Sequence, residues 1–135
     1  MIIGRSGWMM SMVDREVQAV LRALSAVRAP AVSGEYDLHA EIGAALERAG
    51  IAFDHEFRLA PRCRIDFLAG HVGIEVKKGR PVAADLRRQV ARYAQCAQLD
   101  ALVVVVQRGV SLPDAIHGKP VVVLSLNRLW GVALP

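Results

Sequence analysis

The spacing of apolar residues divides the chain into predicted helices and strands. Apolar residues at 3.6-residue spacing predict three helices: one begins after Ser11 and ends near Pro30, one ends at Gly50, and one spans about residues 82–98. Alternating or continuous apolar residues predict five strands, at 52–59, 63–69, 72–78, 101–106 and 121–124. This order of elements predicts an α/β fold in which helices flank a mixed central sheet.

The second and third predicted strands form a hairpin. Gly70-His71 separates them, and a two-residue turn with Gly first is typical of type II′ hairpins. Residues at equal distances from such a turn face each other, so Asp66 should lie opposite Glu75, in a pair whose Cα atoms approach to about 4.5 Å. Strict alternation also places Ile65 and Phe67 together on the face opposite Asp66.

Two carboxylates at facing positions repel each other unless something offsets their charge. A raised pKa, a basic neighbour or a bound cation can do so. Hard cations such as Mg²⁺ bind carboxylate oxygens and keep several waters, and Lys77 would point toward the same volume as Glu75. The pattern suggests metal-assisted hydrolysis. An equally open interpretation is a solvated charge ladder in which Arg64 and Lys77 pair with the two acids.

Charge and composition narrow the choice of partners. The net charge is +4, and from Lys77 to Arg92 there are six basic residues and one acid, Asp85. A polyanion such as DNA would be attracted to this stretch. No segment has the ~18–20 uninterrupted apolar residues of a membrane span, and the N-terminal segment lacks the basic start of a signal peptide. We therefore expect a soluble cytoplasmic protein with no membrane partner.

Three polar residues lie at the borders of apolar helix faces. Glu41 is one position before Ile42 on the second helix, and Gln89 and Tyr93 are one turn apart on the third. Side chains at such borders can reach the edge of a buried site, although each also suits an ordinary helix surface. The four histidines are scattered, and position alone assigns none of them a catalytic role.

With these residues in this order, the chain resembles the PD-(D/E)XK nuclease superfamily, particularly its RecB-like branch. The matching segments are the helix with Glu41, the strand with Asp66, the strand Ile74-Glu75-Val76-Lys77, and residues 89–93, which look like the branch's QxxxY motif. Ile65 stands where the family name has proline. The resemblance covers about residues 35–107 and implies a restriction-endonuclease-like αβββαβ core.

The resemblance also implies a domain organisation and a set of functional residues. Residues 31–135 would form the nuclease-like domain and residues 1–30 an extra N-terminal helix, in one compact unit. One or two Mg²⁺ or Mn²⁺ ions would be bound by Asp66, Glu75 and the Val76 carbonyl, and Glu41 would complete this catalytic site directly or through water. The remaining roles would fall to Lys77 as a catalytic residue, Gln89 and Tyr93 as auxiliary residues, and Lys78, Arg80, Arg88 and Arg92 as DNA contacts.

The activity expected from this resemblance is metal-dependent hydrolysis of phosphodiester bonds in DNA, by an endonuclease or an exonuclease. Structure-specific and junction-resolving enzymes are included in that range. A non-catalytic nucleic-acid-binding module and a structural or interaction protein are the alternatives. Cutting both strands needs two sites, so a homodimer is one prediction, and membership of a larger DNA-processing assembly is another. The apolar N-terminal segment with Trp8, Met9, Met10 and Met12 is either the dimer interface or a segment that packs on the core of its own chain.

Overall fold

The structure, a computed structural model, describes residues 11–27 and 35–126. In these ranges it has three helices, α1 (Met12–Leu24), α2 (Glu35–Arg48) and α3 (Ala83–Ala94). The strands are β1 (Asp54–Ala60), β2 (Cys63–Ala69), β3 (Val72–Lys77), β4 (Ala101–Val106), β5 (Ala115–Ile116) and β6 (Lys119–Ser125). They form one six-stranded sheet in the order β1-β2-β3-β4-β6-β5. The predicted α/β class with a mixed sheet is confirmed.

The sheet is antiparallel at one side and parallel at its centre. Short turns join β1, β2 and β3 into an antiparallel meander, whereas α3 carries the chain back so that β4 lies parallel to β3. β6 continues the parallel part, and the short β5, which the sequence did not predict, pairs with β6. All six residues of β4 are buried, as expected for a central strand that is covered on both faces.

Two apolar cores lie on opposite faces of the sheet. α1 and α2 pack on one face, where their buried residues meet Val72, Ile74 and Val76 of β3. α3 packs on the other face, where Leu86 and Val90 meet alternate residues of β4. Because side chains alternate along a strand, β4 contributes to both cores, whereas the buried apolar side chains of β3 all belong to the core under α1 and α2.

The helix ends follow local signals. The Ser11 hydroxyl accepts a hydrogen bond from the Asp14 N–H at 3.0 Å, so the predicted cap of α1 is confirmed. Gly50, with φ +74°, ends α2 in a Schellman arrangement in which the Ile51 N–H reaches the Leu46 carbonyl. α3 ends at Ala94, four residues before its predicted end, in i→i−3 turns.

The hairpin has the predicted turn, but its ladder stops early. Gly70 has φ +61°, and Ala69, Leu68 and Phe67 pair in register with Val72, Gly73 and Ile74. The next pair, Asp66 with Glu75, is missing from the ladder. The Val76 N–H instead donates to Asp66 Oδ2 at 2.8 Å.

The prediction that Ile65 and Phe67 share a face is therefore wrong. Ile65 packs in the core under α3, whereas Phe67 packs in the core under α1 and α2. β1 follows β2 through this change of face, because His55 pairs with Phe67 while Phe57 pairs with Ile65. Glu56, between them, has φ +56°, an unusual conformation for a residue other than glycine. The alternation of side chains between the two faces of the sheet is therefore broken at Asp66 on β2 and at Glu56, the residue on β1 that would face it.

The predicted N-terminal interface falls mostly outside the described residues. Trp8, Met9 and Met10 are in that part, and Met12, at the start of α1, is 73% exposed. α1 itself packs through Val17, Val20 and neighbouring apolar residues on the α2 side of the sheet. Among the described residues, no helix is both long enough and apolar enough to cross a membrane.

Replacing Gly73 by Ala tests how tightly β3 packs beneath α3. A Cβ at this position would lie 2.5 Å from Ile65 Cδ1 and 3.0 Å from Leu99 Cδ1, and both side chains are fully buried. We expect Gly73→Ala to lower the free energy of unfolding in urea titrations by about 1–3 kcal/mol, the usual cost of overpacking. Gly109→Ala is the control, because its Cβ would meet nothing within 4 Å. Equal effects of the two substitutions would contradict the prediction.

Candidate active site around Glu75

Glu75 is the charged residue that this fold buries. It lies on β3 with 3% of its surface exposed, and no other charged side chain is buried among residues 11–27 and 38–126. Its Oε2 is 3.2 Å from Lys77 Nζ, and its Oε1 is 3.0 Å from the Tyr93 hydroxyl. Glu75 and Lys77 alternate with the apolar residues that face α1 and α2, so both point toward α3.

Tyr93 and Gln89 position the Glu75 carboxylate. The Gln89 Nε2 donates to the Tyr93 oxygen at 3.0 Å, and the Tyr93 hydroxyl lies 3.0 Å from both Glu75 Oε1 and the Arg64 carbonyl. The hydroxyl has one proton to share between these two acceptors. Burial, and then the neighbouring Glu75, raise the pKa of Tyr93 above its usual range, so the hydroxyl stays a donor.

Asp66 lies where β2 leaves the ladder. Its Oδ2 accepts the Val76 N–H at 2.8 Å and is 3.6 Å from His39 Nε2 on α2. The N–H and C=O of one strand residue point to the same side, because facing antiparallel residues exchange both bonds. The Val76 carbonyl is therefore directed toward the same gap as the Asp66 carboxylate.

The charge of Asp66 acts on Glu75. Burial, and then the Asp66 charge, raise the pKa of Glu75 from an ordinary value of 4.5 to about 7, while Lys77 and the Tyr93 hydrogen bond act in the opposite direction. Lys77 therefore compensates only part of the cost of keeping both acids ionised. The oxygen donors of Asp66, Glu75 and Val76 are the ligand type that Mg²⁺ and Mn²⁺ prefer, so the chemistry of this donor set suits a hard divalent cation.

The α2 side chain that faces Asp66 is His39, which the sequence reasoning missed. Glu41, predicted for this role, is partly exposed, and no hydrogen bond or ion pair described here joins it to Asp66 or Glu75. On a helix, residues two apart point in nearly opposite directions, so His39 and Glu41 cannot both face the sheet edge. The feature of the sequence that could have identified His39 is its position directly after Leu38, which belongs to the apolar stripe of α2.

One group of three metal-ligating side chains comes together within the described residues. His39, His55 and Glu56 have ligand atoms that all lie within 4.8 Å of one another. The predicted side-chain set Asp66, Glu75 and Glu41 does not meet that distance. Both Glu75 oxygens are instead in contact with Lys77 and Tyr93, which hold the carboxylate on the α3 side.

A basic groove runs between the end of β3 and α3. Its volume is about 410 Å³, and its polar lining includes Lys77, Arg88, Gln89 and Arg92. Asp85 also lines it and pairs with Arg88 one turn along the helix. Lys78 and Arg80 are exposed but do not line the groove. The structure thus brings two of the four predicted DNA-contacting residues beside Lys77.

Comparison of the chain with protein-family models, with curated proteins and with solved structures finds no match in any of the three. The chemistry of this site is therefore argued from its own geometry. That geometry joins a buried acid, a neighbouring acid, a lysine and a tyrosine at one edge of a basic groove.

Glu75→Gln tests the cost of the buried charge. Folding raises the pKa of Glu75, so between about pH 4.5 and 7 the folded state binds more protons than the unfolded state, and stability falls as pH rises. The total loss is about 3 kcal/mol. In urea titrations with chelator we expect Glu75→Gln to remove this loss and to be more stable than the wild type at pH 8.

Two further measurements complete this test. Excess Mg²⁺ or Mn²⁺ should raise the stability of the wild type at pH 8, because a cation that binds only the folded state stabilises it. Glu47→Gln, an exposed change on α2, should keep the wild-type pH dependence. A Glu75→Gln protein that is destabilised equally at pH 5 and pH 8 would show that the carboxylate is not strained by burial.

Proposed function

We propose that this protein is a Mg²⁺- or Mn²⁺-dependent deoxyribonuclease that hydrolyses phosphodiester bonds. The observation that carries the proposal is the buried Glu75 beside Asp66, with Lys77 Nζ 3.2 Å from its carboxylate. A buried acid whose pKa is raised by burial and by a neighbouring acid is typical of functional sites. A solvated charge ladder, the alternative for this hairpin, would leave Glu75 in water, whereas 97% of its surface is removed from solvent.

The topology supports the resemblance to the PD-(D/E)XK nuclease superfamily. From α2 onward the order is helix, three antiparallel strands, helix, parallel strand, which agrees with the αβββαβ core that the resemblance implies. Asp66 lies on the second of these strands and Glu75 on the third, while Gln89 and Tyr93 lie on the next helix. The hydrogen bonds that connect Gln89, Tyr93 and Glu75 give the QxxxY-like motif a physical role at the site.

The cation would be held by Asp66, Glu75 and the Val76 carbonyl. When bound, it supplies Lewis-acid polarisation of the phosphoryl group. His39 takes the place on α2 that the sequence assigned to Glu41, and its role is to orient the Asp66 carboxylate from the α2 side. Both acids are fixed before substrate arrives, Asp66 by the Val76 N–H and Glu75 by Tyr93.

Lys77 is the cationic side chain of the site. Glu75 holds its ammonium group at the mouth of the basic groove, and about 71% of the lysine side chain is shielded from solvent. A charge in such a partly desolvated position stabilises the negative charge that develops on a phosphodiester under attack. Arg88 and Arg92, along the same groove, would attract and align the DNA backbone.

Cleavage assays test this proposal directly. Purified protein is incubated with Mg²⁺ or Mn²⁺ and with supercoiled, linear, single-stranded and branched DNA. We expect metal-dependent cleavage that Asp66→Asn and Lys77→Ala each reduce by at least about 100-fold, since each removes charge from the reacting centre. The panel also separates endonuclease from exonuclease action.

Asp114→Asn is the matched control, because Asp114 is an exposed acid that does not line the groove. It should cleave at the wild-type rate. Equal rates for the wild type, Asp66→Asn and Lys77→Ala would identify a contaminating nuclease. No cleavage of any substrate by the wild type, with either metal, would refute the nuclease proposal.

DNA binding tests the role of the groove. In an Asp66→Asn background, Arg88→Ala and Arg92→Ala should each weaken binding for all sequences and reduce the slope of log K against log salt by about 1. Arg58→Ala on β1, away from the groove, should leave the slope unchanged. Salt-sensitive DNA binding without cleavage by the wild type would favour the non-catalytic binding module. If neither Arg88→Ala nor Arg92→Ala changed the DNA affinity, the DNA would have to bind outside this groove.

A further inference from the structure

We infer that His39, His55 and Glu56 form a second metal site, which takes a first-row transition ion such as Zn²⁺. His39 belongs to α2, and the other two residues belong to β1, so the site joins a helix to the edge of the sheet. Their ligand atoms lie within 4.8 Å of one another. This inference concerns ligands and spacing alone and does not depend on the nuclease proposal.

The two imidazoles already have the spacing of metal ligands. His39 Nδ1 and His55 Nε2 are 2.9 Å apart. With metal–nitrogen bonds of about 2.0–2.1 Å, two ligands at a right angle are about 2.9 Å apart and two tetrahedral ligands about 3.4 Å apart. For this pair of nitrogens, tetrahedral binding therefore needs a separation only about 0.5 Å wider than the present one. Which of the two nitrogens donates to the other depends on the tautomer.

Packing holds the rings in this arrangement. The His55 ring stacks on Phe67, with centroids 4.7 Å apart, and the His39 ring lies 5.5 Å from the same phenylalanine. Phe67 is itself buried, so it fixes both imidazoles. The backbone conformation of Glu56, with φ +56°, interrupts the alternation of side chains along β1. The Glu56 side chain can therefore lie near the two imidazole rings. Ligands that are fixed in advance lose little entropy when an ion binds.

Asp66 supplies the second shell of the proposed site. Metal-binding histidines usually direct the other ring nitrogen at a carboxylate or carbonyl, which fixes the tautomer and raises ligand basicity. His39 offers Nδ1 to the cluster, and its Nε2 is 3.6 Å from Asp66 Oδ2. The imidazole therefore lies between the proposed transition-metal site and the Asp66 carboxylate.

The ligand set identifies the class of ion. Two imidazole nitrogens and one carboxylate suit Zn²⁺, Co²⁺, Ni²⁺ or Mn²⁺, whereas Mg²⁺ prefers an all-oxygen shell. Imidazole is a ligand that suits Zn²⁺, and the usual order of affinity places Mn²⁺ at the weak end of this series. His55 and Glu56 are exposed, so an ion can reach the cluster from solvent.

Metal titration of the full chain tests this inference without any activity measurement. Protein stripped with a chelator is titrated with Co²⁺, followed by visible absorption, and with Zn²⁺ in competition with a chromophoric chelator, both in excess Mg²⁺. We expect one equivalent to bind. His55→Gln and Glu56→Gln should each weaken binding by more than about 100-fold, beyond the loss typical of second-shell changes, because each removes a direct ligand.

Two controls locate the bound ion. His71→Gln changes an exposed histidine at the hairpin turn and should bind like the wild type. The double variant Asp66→Asn/Glu75→Gln should keep the Zn²⁺ equivalent, with at most the tenfold to hundredfold loss (~10–100) typical of second-shell changes. Loss of binding in the double variant together with unchanged binding in His55→Gln and Glu56→Gln would overturn the inference, as would a wild type that binds no Zn²⁺. Glu56→Gln is an exposed change, so its result stands even if His55→Gln folds poorly.

Discussion

The hydrogen bond from the Val76 N–H to Asp66 Oδ2 determines the geometry of the rest of the site. In a continued ladder this N–H would bond to the β2 backbone, and a buried N–H without a partner is costly. The carboxylate supplies the acceptor, at 2.8 Å, and so permits β2 to leave the ladder. Ile65 can then pack under α3 while Phe67 packs under α2. The same bond holds Asp66 in one orientation beside β3.

A second constraint comes from the position of Glu75 in a strand that is covered on both faces. An ionised carboxylate there is unfavourable unless partners replace its lost water. Lys77 and Tyr93 do so at 3.2 and 3.0 Å, yet the pKa of Glu75 still rises to about 7. Retaining an acid in a central strand, beside another acid, is the kind of local cost that functional sites bear.

Local rules predicted most elements and the residues that meet at Glu75, but not the break in alternation. The Gly70 turn, the Ser11 cap and the Gly50 stop each follow from one residue type in a recognised position. The sheet face on which Ile65 packs does not follow from residue type, because Ile65 and Phe67 are both apolar and either could pack in either core. Periodicity assumes an uninterrupted ladder, and only the long-range bond to Val76 shows that it ends. His39 was missed for a related reason, since its partner Asp66 becomes reachable from α2 only after the strand turns.

The break in alternation also explains why one carboxylate can interact with both sides of the sheet. A regular strand would direct Asp66 toward α3 alone, together with Glu75. Because the strand turns at Asp66, its Oδ2 touches the β3 backbone and lies 3.6 Å from His39 on α2, while its charge still acts on Glu75 beneath α3. Glu75 beneath α3 and His39 on α2 therefore interact with the same acid. A change at either side that reorients Asp66 must alter the electrostatics of the other.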